Sequence, residues 1–266
     1  MDGIWNNLGD FRGLEASASG SSAVHRLNPL AKLLATIAYL VATTSIPRYA
    51  FPCAVGMAIF PVILFALANL SFATCLRRLR FVLPFVLLVG VANPFFDRGT
   101  MFSVGGVEVS GGIVSMATLA LKGALCLAAS YALAATTRMD ALCSSLAAIR
   151  VPAIVTDVLL LSHRYLAVLM EEAGTMAEAY ALRAPRARGV KVGAWGSFLG
   201  QLLLRAMDKA HGVHDAMMLR GFSGTIPMAA TPRWRATDTL FLACAIALVA
   251  CLRVFNVAEW IGALVR

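Results

Sequence analysis

The stretch IVSMATLALKGALCLAASYALAATT, Ile113–Thr137, decides the fold class of this chain. It carries one charged residue, Lys122. An apolar run of about 20 residues is what a helix needs to cross the hydrocarbon of a bilayer. A soluble core helix would expose a charged face, and this run has none. Comparable blocks lie on both sides of it. Asn28–Ile46 and Ala50–Leu70 read as spans joined by a tight turn at Pro47-Arg48. Phe81–Phe96 is a third apolar run, holding Pro84 and Pro94, and Thr239–Val265 is a last one, interrupted by Arg253.

The whole composition agrees. The chain has 266 residues, 59% hydrophobic and 14% charged, with mean hydropathy +0.77. A soluble domain of that length is nearer a quarter charged. The expected fold is therefore an all-α polytopic membrane protein with about five transmembrane helices. The start, MDGIWNNLGD, lacks the basic region of a secretory signal. Six cysteines lie mostly in apolar runs without a CxxC pair and read as small buried hydrophobes. The net charge of +9 reads as the cytoplasmic bias of a membrane protein, not as a nucleic-acid surface.

Four segments follow. Residues 1–27 form an N-terminal interfacial segment and linker. Residues 28–137 hold the N-terminal spans, with an external hairpin at 97–112, where MFSV and VEVS alternate around Gly105-Gly106. Residues 138–235 hold 12 of the 23 Lys and Arg. Residues 236–266 are the C-terminal span. Arg26, Lys32, Arg77, Arg78 and Arg80 and the basic 138–235 region all lie inside if the N-terminus is cytoplasmic, and Arg48 is a minor exception to this. VPAIVTDVLLL, 151–161, is too short to span alone and is expected to begin a long helix.

Within 138–235 two amphipathic helices are expected. In Arg164–Ala184, Leu166, Leu169, Met170, Ala173, Met176, Ala177 and Tyr180 share a face, and Glu171, Glu172, Thr175 and Glu178 share another. Pro185 stops this helix near Arg183. In Leu203–Arg220, Leu203, Ala206, Met207, Ala210, Val213, Met217 and Met218 form the stripe, and Gly221 suits the left-handed residue past the end. Both helices therefore end in Leu-Arg plus a small residue. One reading is two arginines favourably placed at helix C-termini. The other is two docking points, each with a Met-containing stripe that can repack against a moving partner.

RYLAVLMEEAGTMAEAYALRA followed by RAMDKAHGVHDAMMLRGFSG resembles the transmembrane T component of energy-coupling factor (ECF) transporters, and within them the CbiQ-like members of the cobalt and nickel branch. LNPLAKLLAT (27–36), VGVANPFFD (89–97) and AAIRVPAIVTDVLLLSHRY (147–165) extend the resemblance over most of the chain. The family's two Ala-Arg-Gly-type motifs fall on Leu182-Arg183-Ala184 and Leu219-Arg220-Gly221. The first has Ala184 in place of glycine, and Ala187-Arg188-Gly189 competes with it five residues on.

The resemblance implies a non-catalytic coupling subunit of an ABC-type importer for cobalt or nickel ions in the inner (plasma) membrane. Its partners would be two ATP-binding-cassette ATPase subunits, which carry ATP and Mg, and a small membrane S component that captures the metal. The surrounding lipids complete the set, and no nucleic acid is involved. The chain itself would bind no cofactor. No lysine follows a glycine, so no GxxxxGK[ST] loop exists. His211 and His214 lie three apart without further ligands at metal-site spacing. Lys122 is either an intramembrane functional cation or a lysine that snorkels to the outer surface. A self-contained secondary permease would show internal repeats, and none are visible. A T component for another substrate, such as a vitamin, stays open.

Overall fold

In the computed structural model the described residues are 13, 18, 20, 22, 24–91, 100–104, 107–185, 189–226 and 234–254. The expectations for 1–12, for the turn glycines Gly105 and Gly106, and for 255–266 lie outside them. The described chain is helical apart from one two-stranded ribbon, as expected of an all-α membrane protein. It divides into two compact units, one drawn from 18–137 and 232–266 and the other chiefly from 138–231.

The first unit begins with α1, Pro29–Thr44. Proline at its first position needs no N–H, and the Asn28 side chain accepts from Leu30 N at 3.0 Å, so the helix start is fully signalled. The expected second span is a pair of helices, α2 (Phe51–Gly56) and α3 (Ile59–Ala68), broken at Met57-Ala58. The break follows from Pro61, which cannot give an N–H to the Met57 carbonyl and whose ring crowds it. Tyr39 Oη donates to that carbonyl instead, at 3.0 Å, and its ring stacks on Phe60 with centroids 4.6 Å apart. Tyr39 and Met57 are fully buried, so this exchange sits at the centre of the bundle.

Helix α4 runs from Phe72 to Gly90. It starts earlier than the expected span at Phe81 because Arg77, Arg78 and Arg80 are good helix formers and continue the turn. Pro84 lies inside it. The expected hairpin is present as β1 (Thr100–Val104) and β2 (Val107–Ser110), antiparallel, with Val104 paired to Val107 across two residues.

Helix α5, Gly111–Thr136, is the quoted stretch. It packs along α4 where glycines permit: a Cβ on Gly90 would lie 2.9 Å from Met116 Cγ, and one on Gly123 would lie 3.2 Å from Val86 Cγ2. Small residues at these two positions are what let the helix backbones approach so closely. The unit closes with the last helix of the chain, Ala236–Val254, which packs on α1.

The second unit holds α6 (Met139–Ala148), α7 (Ala153–Arg183), a short 3₁₀ turn at Val192–Ala194 and α8 (Trp195–Leu219). The last helix of the first unit, Ala236–Val254, is therefore α9. VPAIVTDVLLL does begin a long helix. At 31 residues it extends about 46 Å.

By length and composition four stretches can cross a membrane: Phe51–Ala68, Gly111–Thr136, Ala153–Arg183 and Ala236–Arg253. Three of these coincide with expected spans. The 16-residue α1 falls short of the usual length, and the arginines of α4 take it out of this group. The protein is a multi-pass helical membrane protein.

Candidate functional site

Both Leu-Arg helix ends lie in the second unit. Helix α7 stops at Arg183. Ala184 is its cap, with φ −129° and its N–H on the Tyr180 carbonyl at 3.0 Å. That φ is open to any residue, which explains why alanine serves where the second motif has glycine.

The end of α8 is built differently. Gly221 N donates to Met218 O and Phe222 N to Met217 O, both at 3.0 Å, around Gly221 at φ +81°. This is a Schellman closure, in which a left-handed residue lets two N–H groups turn back on the last orphan carbonyls. Glycine is needed here for its backbone. Gly189, of the competing first motif, has φ +85°, the same left-handed region. Its neighbour Arg188 lies outside the described residues.

Both ends are open to solvent. Leu182 is 84% exposed and Leu219 89% exposed. Arg183 and Arg220 are exposed as well, and among the described residues neither guanidinium has an acid or a carbonyl as partner.

The two helices form an antiparallel pair. Glu172 on α7 pairs with Arg205 on α8, and Asp157, near the start of α7, accepts from Ile226 N at 3.3 Å, past the end of α8. The residues after Arg220 are thereby drawn back toward the first turns of α7. A groove of about 400 Å³ lies between the helices, lined by Leu161, Tyr165, Leu169, Val213, Met217 and Phe222 among others. Because the pairing is antiparallel, Arg183 and Arg220 sit at opposite ends of it, about 35 Å apart by helix rise. The sequence places each arginine at a helix end. It does not give their separation, because nothing local encodes how the two helices pair.

The other expected residues are elsewhere. His214 lines the groove, but among the described residues no group of three or more His, Cys, Asp or Glu assembles. Lys122 belongs to the first unit. Its ammonium donates to the Ile46 carbonyl past the end of α1, and Arg253 donates to the Ser45 carbonyl beside it at 2.8 Å. Both cations sit on the negative end of α1. Lys122 is therefore turned onto the C-terminal end of α1.

The fold defines the class of multi-pass helical membrane proteins, with a separate helical hairpin between its spans in sequence. The chain belongs to the CbiQ family of cobalt transport proteins, whose family profile matches residues 20–230. It is also similar to the energy-coupling factor transporter transmembrane protein EcfT of Thermotoga maritima, at 27% identity over 239 residues, covering 83% of this chain and 85% of that protein. The family expected from the two Leu-Arg motifs is the one found.

Proposed function

We propose that this chain is the transmembrane T component of an energy-coupling factor importer for cobalt or nickel ions, and that Arg183 and Arg220 are its contacts with two ATPase subunits. The observation that carries this reading is the pair of exposed Leu-Arg tips at opposite ends of one antiparallel hairpin. Tips some 35 Å apart address two docking sites more naturally than one. Each tip offers an apolar anchor beside a planar cation, a combination suited to a groove with an acid at its floor. The ATPases bring ATP and Mg, a small membrane S component captures the metal, and this chain performs no chemistry of its own. The family's description as cobalt transport proteins supports the choice of metal; the name of the T. maritima relative specifies no substrate.

In this reading residues 138–235 lie on the cytoplasmic side of the inner membrane and the β1–β2 ribbon lies outside. Helix α7 is long and apolar enough to span, but Asp157, Arg164, Glu171 and Glu172 along it favour the membrane surface over the hydrocarbon centre. Cross-linking tests the docking role. Leu182→Cys and Leu219→Cys should each form a cross-link to an ATPase subunit, and the doubly substituted chain should capture two. Capture of the ATPase by neither position would reject it.

A further inference from the structure

Three helix ends meet at a buried polar joint in the first unit. Asp238, in the first turn of α9, accepts through Oδ2 from Arg235 N at 2.8 Å, capping its own helix. Its Oδ1 accepts from Asn28 N at 2.9 Å, at the start of α1 and 210 residues away in sequence. Lys32, in the first turn of α1, donates to the Thr136 carbonyl at the end of α5, at 2.7 Å. Asp238 is 2% and Lys32 4% exposed, and the Asp238 charge acts on the Lys32 ammonium. Each charge has the sign its helix end calls for, an anion on two N-termini and a cation on a C-terminus.

The position of this joint along the chain gives it a consequence. The chain leaves the first unit just after Thr136 and has returned to it by Arg235, and the second unit is made from what lies between. Both stems of that excursion are therefore fastened to α1 at one place. At the other end of α1, Lys122 from α5 and Arg253 from α9 hold its last carbonyls. The same two helices that carry the stems thus grip α1 at both ends, and α1, α5 and α9 form a polar-stitched frame.

We propose that Lys32 and Asp238 are positioning residues of the transport cycle: they keep the two stems of the 138–231 segment together, so that movement of that segment is delivered to α1, α5 and α9 as one body. This rests on the reading of Arg183 and Arg220 as ATPase contacts. With the joint lost, the ATPases still bind and hydrolyse ATP, but the stems move apart and the stroke is dissipated. Because removing one of two neighbouring buried charges leaves the other with less compensation, the Lys32→Met/Asp238→Asn double variant is the informative one. It deletes both charges and leaves the apolar packing intact.

The test reconstitutes the full complex and measures three quantities: ATPase subunits retained, ATP hydrolysed, and cobalt(II) taken up per ATP. The paired variant is expected to keep the first two near wild type and to lose most of the uptake per ATP. Wild-type uptake per ATP in the paired variant would overturn the proposal. So would loss of ATPase subunits to the extent seen with Arg183→Ala/Arg220→Ala, since the joint would then only support folding. If the arginine variant instead keeps its ATPases, the docking reading fails, and uptake per ATP still decides the joint on its own.

Discussion

Replacing Gly221 by valine isolates the backbone contribution to the second tip. A Cβ at this position meets nothing within 4 Å, so sterics against neighbours play no part. The cost comes from φ +81°, which for a non-glycine residue is about 1–2 kcal/mol and for a β-branched one at least the top of that range. The helix can avoid the cost only by giving up the bonds from Gly221 N and Phe222 N to Met218 and Met217, which lets the last turn fray and Arg220 move. A partner that needs the closed tip then binds with its affinity reduced by the closed fraction. With about 1.4 kcal/mol per tenfold, the expected loss is roughly five- to thirtyfold. The assay is titration of the ATPase subunit onto the chain in an Arg183→Ala background, where only the second tip contributes. Gly221→Asn should lose less, because asparagine tolerates the left-handed region. Equal affinity for the glycine, asparagine and valine forms would refute the argument that this closure presents Arg220.

Three further outcomes are expected. Val192→Cys, in the exposed turn before α8 (88% exposed), should label from the cytoplasmic side only; labelling by an impermeant reagent in intact cells would reverse the topology. Arg183→Ala should weaken ATPase binding more than Arg188→Ala, since α7 ends at Arg183; the opposite order would move the first contact five residues on, to Arg188-Gly189. Tyr39→Phe should lower the unfolding midpoint in detergent, because it leaves the buried Met57 carbonyl unpaired at a cost of about 1–3 kcal/mol; an unchanged midpoint would show that another group serves that carbonyl.

The helix ends were legible because they are written in local chemistry. Pro185 and Gly221 stop α7 and α8 where the structure stops them, and the two valines around Gly105-Gly106 pair as a hairpin should. Apolar length alone found α5 and the first part of α9. Other features were not legible, for physical reasons. The start of α4 was set too late because three arginines look like a boundary, although arginine extends a helix as readily as leucine. The break between α2 and α3 depends on Pro61 together with Tyr39, and the second of these lies on another helix. Helix α6 is short and had no strong period. The joint at Asp238 links residues 210 apart, and only its own capping position, three residues past Arg235, was local. Lys122 was visible as an anomaly, but its partner, a backbone carbonyl at Ile46, carries no signal in sequence.

The docking role of the two arginines is tested most directly by recovery of ATPase subunits with the affinity-purified chain, compared among wild type, Arg183→Ala, Arg220→Ala and the double variant at equal membrane levels. Each exposed arginine that pairs with a partner carboxylate contributes roughly 1.5–3 kcal/mol. Partial recovery is therefore expected with either single change and almost none with both. Full recovery of the ATPases by the double variant would contradict the docking role and would leave the two arginines as no more than charges at the ends of two helices.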